Sequence, residues 1–410
     1  MHAITPPESS TVNGKSRKAI VLYVGVNLCR FLLAATFIFS GFVKAIDPTG
    51  FALKLKEYAV AHGIGYDQDS FLFLLPAILL LSAEFLIGAS LLLGIRRKIA
   101  TISAFLLMLF MTPFTLYVAL ANPVQDCGCF GEAWKITNWQ TFYKNVLLLG
   151  ASVLCMYRPG SMFRFVKQGF QWIPPLYSFL FILAITVYNY AHLPILDFRP
   201  YKVGTDLLAL RHTLPERGET PTDVDFYDLE SFDDLTDSLL TTNEYLFLLI
   251  APRIEDADQN DADLINNLYD YARRHDYAYY GVTASSDAEI EEWRDRTGAD
   301  YPFLFGDHAM LLSMIRANPG IMLLHKGVVR NKWSHFYIPN ATKLDAPLAE
   351  DSPLLNPKRP TAVRVGLYAA LLYCIPLLLV FLLDNCLLQG LSRLFKRKNK
   401  EKTGNEHTEN

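Results

Sequence analysis

Residues 71–94 read Phe-Leu-Phe-Leu-Leu-Pro-Ala-Ile-Leu-Leu-Leu-Ser-Ala-Glu-Phe-Leu-Ile-Gly-Ala-Ser-Leu-Leu-Leu-Gly, an apolar run interrupted by a single charge, Glu84. About 20 such residues wound as a helix cross a bilayer core, so the run predicts a membrane span. Five further runs follow the same pattern, at 19–41, 99–120, 141–157, 173–193 and 362–383. The run at 141–157 is the weakest, because Lys144 and Asn145 sit in its first turn; Lys144 is long enough to snorkel to an interface. In a chain of 410 residues, 51% hydrophobic and 13% aromatic, this clustering of apolar residues predicts a mostly α membrane protein with six spans.

Basic residues flank the spans unevenly. Lys15, Arg17 and Lys18 precede the first; Arg96, Arg97 and Lys98 separate the second and third; Arg158, Arg164 and Lys167 separate the fourth and fifth; Arg393, Lys396, Arg397 and Lys398 follow the sixth. With six spans these clusters share one side, which the positive-inside rule makes cytoplasmic. The expected organisation is a cytoplasmic tail (1–18), a four-helix membrane domain (19–157), a cytoplasmic loop with the fifth span (158–195), an extracytoplasmic domain (196–360), the sixth span (361–386) and a basic tail (387–410). The polar first eighteen residues do not read as a cleavable signal peptide. A multi-pass protein of a bacterial-type inner membrane follows, in contact with lipids and with both termini cytoplasmic. The net charge of −3 leaves the partners open, and no nucleic-acid partner is expected.

The 196–360 segment alternates strand and helix patterns: strands at 245–251 and 277–283, helices at 262–274 and 288–296, a strand at 302–305, a short helix at 309–316, and a hairpin of 321–324 with 328–333 turned at His325-Lys326-Gly327. Asp256, Asp258, Asp261 and Asp263 crowd one loop, but the loop glycine and terminal Glu of an EF-hand are missing, so no metal is expected. The chemistry sits elsewhere. Cys127-Gly128-Cys129-Phe130-Gly131 lies in a short loop between two spans. Two thiols one glycine apart cannot build a four-ligand zinc site alone. They can close an intraloop disulfide, whose small ring is expected to be strained and easily reduced. Cys127 and Cys129 are therefore the candidate redox pair, with a purely structural disulfide as the other reading. Cys29, Cys155, Cys374 and Cys386, within or at the ends of spans, are expected to be structural thiols.

The first span runs from Arg30 through Ser40 and Gly41 to Lys44, Asp47 and Pro48, and the second holds Glu84. Together with the Cys-Gly-Cys-Phe-Gly loop, these residues resemble the DoxX superfamily, and its MauE branch in particular, over about 20–157. The resemblance implies a four-helix core, a membrane redox role open to a quinone cofactor, and an extracytoplasmic protein partner; MauE-like proteins are linked to maturation of a disulfide-rich periplasmic dehydrogenase. The 205–345 segment resembles a thioredoxin-like α/β domain. There Pro319 matches the cis-proline position, while Ala251-Pro252-Arg253-Ile254-Glu255-Asp256 stands where a CxxC would, without a cysteine. That leaves docking or a purely structural cap for the domain. Two charges within adjacent spans usually pair. Counting about 1.5 Å per residue from the apparent span ends puts Arg30 and Glu84 at similar depth and predicts an intramembrane ion pair. Lys44, supported by Asp47, either anchors the helix end at the interface or steadies a thiolate at the loop.

Overall fold

The computed structural model describes residues 10–64, 70–124, 126–165, 171–212, 224–341, 346–357 and 361–405, of which 10–18, 70, 71 and 384–405 are described by backbone alone. The chain forms two compact units, one of residues 1–186 with 366–410 and one of residues 187–365.

The first unit is helical: α1 (Ser10–Ile46), α2 (Pro48–Ala61), α3 (Ser70–Leu93), α4 (Arg97–Ala121), α5 (Asn138–Tyr157) and most of α6 (Ile173–Ala191). Among the described residues five helices are long and apolar enough to cross a membrane, namely α1, α3, α4, α6 and a last helix reaching Asn405. The expected fourth span is α5, which has the length, 20 residues, but not the apolar composition, since its first half carries Asn138, Gln140, Lys144 and Asn145. These polar groups are used inside the bundle. Asn145 Nδ2 donates to Thr115 Oγ1 of α4 at 3.1 Å, and Asn138 Nδ2 to the Val124 carbonyl at 3.0 Å. Hydrogen bonds of this kind hold helices together where no hydrophobic driving force does.

Helices α1 and α3 lie unusually close. A Cβ on Gly41 would stand 2.8 Å from the Leu81 carbonyl oxygen, and one on Gly88 would stand 2.8 Å from the Ile38 nitrogen. Small residues at the crossing let the backbones meet, as in other membrane helix pairs. At the basic end, Arg30 donates through Nη1 to the Phe163 carbonyl at 2.6 Å and through Nη2 to the Leu92 carbonyl at 3.0 Å. The expected Arg30–Glu84 ion pair is therefore absent. The depth count went wrong at its origin: α1 begins at Ser10, not at the start of its apolar run. Arg30 consequently sits level with the end of α3, about 12 Å below Glu84 at 1.5 Å per residue.

The second unit is α/β. Its elements are α7 (Leu207–Arg211), β1 (Phe226–Asp228), α8 (Thr236–Thr242), β2 (Tyr245–Ala251), α9 (Ala262–Arg274), β3 (Ala278–Thr283), α10 (Asp287–Thr297), β4 (Phe303–Gly306), α11 (His308–Met314), β5 (Gly320–His325) and β6 (Val328–Ser334); α12 (Ala362–Asn405) follows. One mixed sheet runs β1-β4-β3-β2-β5-β6, with β2, β3 and β4 parallel and the outer pairs antiparallel. Every residue of β2 is buried. Phe247 and Leu249 face a core with Ile265, Tyr271 and Trp293, while Leu246, Leu248 and Ile250 face one with Leu304, Leu311 and Met322. Alternate residues of a strand point to opposite faces, so an uninterrupted apolar strand must be covered on both. The Asn318–Pro319 peptide is cis and leads into β5. Among the described residues no group of three His, Cys, Asp or Glu is placed to hold a metal.

Asp197, in the segment leading into this unit, is clamped by Lys332 Nζ at 2.9 Å and Arg199 Nε at 2.8 Å. Burial alone would raise its carboxyl, but the two cations outweigh it and hold the group at about 2, against a usual 3.8. A depressed folded-state value stabilises above the unfolded-state value and loses that stability as pH falls through the folded one. The contribution, about 2 kcal/mol, is thus complete above about pH 4 and lost between about pH 4 and 2. Thermal melts of the full-length protein across that range should show a decline that Asp197→Asn largely removes from an already lowered baseline.

Candidate functional site

Helix α4 ends at Ala121, where Asn122 takes the left-handed conformation at φ 46° and donates its N–H to the Val118 carbonyl. The chain then doubles back. Asp126 Oδ1 accepts the Gly128 N–H at 2.8 Å, Gly131 N–H bonds the Gly128 carbonyl at 3.1 Å, and Thr137 with Gln140 forms a capping box that starts α5. Gly128 itself sits at φ +67°, a conformation that side-chain-bearing residues avoid. The turn brings Cys127 Sγ to 2.9 Å from Cys129 Sγ, with both thiols free.

Two helices hold this loop. From α2, the Tyr58 hydroxyl donates to the Cys127 carbonyl at 3.2 Å, and the Lys54 stem lies across Gly128. Asp47 caps that helix by accepting the Gly50 N–H at 2.9 Å. From α1, the Ser40 hydroxyl stands 2.7 Å from the Cys129 carbonyl oxygen and 2.7 Å from Glu84 Oε2. A hydroxyl has one hydrogen, so Ser40 donates to one of these oxygens at a time. Lys44 Nζ lies 2.7 and 2.8 Å from the two Glu84 oxygens, and both side chains are buried. Lys44 is therefore no interface anchor: it neutralises Glu84 inside the bundle and packs over the Phe51 ring. Lys144 does not snorkel either. Its ammonium stands 4.2 Å over the Phe130 ring, beside the loop.

Ser40, Lys44, Glu84, Cys129, Lys144 and Asn145 share the walls of a cavity of about 30 Å³, closed by Met108, Met111 and Phe130. A polar space of that size has room for water. Two lysines, Lys44 and Lys144, and one carboxylate, Glu84, line it around the Cys129 sulfur. The hydrogen bond from the Cys127 thiol, aided by Lys144 and Lys44 and opposed by burial and Glu84, lowers Cys129 below the usual thiol range. Cys127, the donor in that bond, is pushed up. Of the two sulfurs, Cys129 is the one whose surroundings favour a thiolate, with the Cys127 sulfur 2.9 Å away.

Of the residues singled out in the sequence, Cys127, Cys129, Lys44 and Glu84 come together here. Arg30 lies at the other end of the bundle, and Pro319 is in the α/β unit. Ser40, Tyr58 and Lys144 were missing from the sequence-derived set of site residues. A lone lysine in the weakest span was the available signal for Lys144; Ser40 stood in the run that carries the family resemblance, without a role of its own. Cys155 is buried and Cys29 half-buried among apolar side chains of α1, α4 and α5, Cys374 is exposed, and Cys386 lies outside the described side chains.

Residues 19–158 match the family model described as methylamine utilisation protein MauE, a match that spans about a third of the chain and ends where α5 ends. No curated protein matches the chain. No solved structure matches it either.

Proposed function

With a MauE-like membrane unit as the premise, we propose that the protein is a membrane dithiol–disulfide component that exchanges disulfides with an extracytoplasmic partner protein. The observation that carries this reading is the Cys129 sulfur, beside two lysines and one carboxylate in the walls of one cavity. In the oxidising direction, a partner thiolate attacks the Cys127–Cys129 disulfide; the partner's second thiol then displaces the mixed disulfide. The partner leaves with a disulfide, and the loop keeps two electrons as free thiols. Lys44 and Lys144 favour Cys129 as the leaving thiolate. Ser40, within reach of both the Cys129 carbonyl and Glu84, holds the loop against the Lys44–Glu84 pair. A lipid-soluble quinone is the class of oxidant that would take the two electrons and two protons back. The α/β unit has no cysteine between residues 187 and 365. Its proposed role is docking, on a thioredoxin-like scaffold in which Pro319 keeps the cis-proline position. In this reading the basic clusters face the cytoplasm and the α/β unit faces outward, with α5 as a crossing helix.

A second reading is a non-enzymatic assembly protein whose loop disulfide only pins a turn. It is favoured by the burial of Cys127 and by the cover that Lys54 and Tyr58 place over the loop. Trapping of thiols in native membranes with a mass-tag reagent separates the two. A mixed population that shifts with mild reductant and with quinone depletion supports exchange; a pair that stays oxidised under both treatments leaves the structural clip. In the reduced protein, alkylation of Cys129 should rise with a midpoint below that of an ordinary thiol, and Lys144→Met should move that midpoint upward. A midpoint at the ordinary thiol value in both proteins would remove the thiolate from the scheme.

A further inference from the structure

A second cavity, of about 300 Å³, opens at the basic end of the helical unit between the α3–α4 turn and the start of α6. Its volume is that of a small-molecule site. Leu86, Ile87 and Ile99 form apolar walls, Ser90 and Ser103 contribute hydroxyls, and the exposed members are Arg96, Ile99 and Trp172. Such a lining suits an amphiphile: a polar head at the arginine and a hydrocarbon body between the helices.

Charge identifies the head. Arg97 is committed, donating to the Gly160 carbonyl at 2.8 Å and the Met162 carbonyl at 2.6 Å. The Arg96 side chain has no hydrogen-bond or ion-pair partner among the described residues, while its carbonyl accepts the Ala100 N–H and its backbone is left-handed at φ 40°. No carboxylate is near in sequence either. Residues 85–125 and 158–196 contain no Asp or Glu, while Arg96, Arg97, Lys98, Arg158, Arg164 and Lys167 crowd these segments. Among the described residues no carboxylate is paired with the Arg96 side chain, which leaves it open to an anion. We propose that this cavity binds an anionic phospholipid, with its phosphate on Arg96 and the Trp172 ring at the headgroup level. Basic residues beside membrane helices recognise acidic headgroups in this way, and a tryptophan at that depth is the usual interfacial neighbour. A quinone fits less well. It offers no charge to Arg96, and Ser103 is about 27 Å along α4 from Ala121 at 1.5 Å per residue, too far for direct exchange with the cysteine loop.

The test uses the purified full-length protein in a neutral detergent, with phosphatidylglycerol, phosphatidylcholine, inorganic phosphate and a short-chain ubiquinone as probes. Phosphatidylglycerol should raise the melting temperature and phosphatidylcholine should not. Arg96→Gly removes the cation and also suits the left-handed position, so the lipid-free protein should melt no lower while the half-saturating phosphatidylglycerol concentration rises at least tenfold. Ser103→Phe, which fills the cavity from another position, should give the same loss by an independent route. An unchanged response in both variants would overturn the proposal, as would equal effects of the two lipids. Displacement of the lipid by inorganic phosphate would make this a free-phosphate site, and displacement by ubiquinone a quinone site; either overturns it as well.

Discussion

Lys44→Met should lower the stability of the full-length protein by about 3–5 kcal/mol, the range for stripping one partner from a buried ion pair. The pair is enclosed, with Nζ 2.7 Å from Glu84 Oε1 and side chains only 3% and 6% exposed. Removal of the lysine leaves a carboxylate in an apolar bundle with only the Ser40 hydroxyl as a donor. Glu84→Gln alone should cost less, because an amide keeps a hydrogen bond to Ser40 without a charge. The double variant Lys44→Met, Glu84→Gln should regain at least half of what Lys44→Met loses, since no unpaired charge remains. Strict additivity in a thermal or proteolytic double-mutant cycle would mean that the two side chains do not depend on each other. The same cycle between Arg30→Gln and Glu84→Gln should be additive, as those groups make no contact.

Gly41→Ala and Gly88→Ala should each destabilise by about 1–3 kcal/mol, the usual cost of overpacking. Every neighbour of the added carbon is close: 2.8–2.9 Å for Gly41, with two of the three atoms backbone, and 2.8–3.0 Å for Gly88. Backbone cannot step aside as a flexible side chain does, so α1 and α3 must separate. Gly150→Ala is the control, since a Cβ there meets nothing within 4 Å; it should be neutral or stabilising, as alanine favours a helix over glycine. The two helices carry Lys44 and Glu84 one turn from these glycines. Separation should therefore also disturb the cysteine site, read as a shift in the alkylation midpoint of Cys129 that Gly150→Ala does not cause. Unaltered melting in both crossing variants would show that the helices have slack at the crossing.

Much of this architecture was legible in the sequence because it is written in local patterns. The apolar runs locate the helices of the membrane unit. Strand β2 stands where its uninterrupted apolar stretch put it, and the neighbouring strand–helix alternation fixed α9, β3 and α10 to within a residue or so. The elements not foreseen are short and carry no period: β1 has three residues, α7 five and α8 seven. The site was half legible. The cysteine pair and the lone Glu84 stand out against their surroundings. The partner of Glu84 depended on how far α1 extends below its apolar run, a quantity that hydropathy does not encode. Ser40 and Tyr58 act through single hydrogen bonds formed by tertiary packing, for which a serine or tyrosine in a helix gives no advance sign.

The Lys54 stem occupies the space over Gly128, its Cγ 2.8 Å from where a Cβ would be. The residue between the two cysteines and the residue across from it on α2 thus share one volume. That space is only half of what keeps position 128 small. A lysine stem can swing away, but the backbone at φ +67° would still strain any side chain there. Shortening Lys54 would therefore free volume over the dithiol loop without making its spacer replaceable.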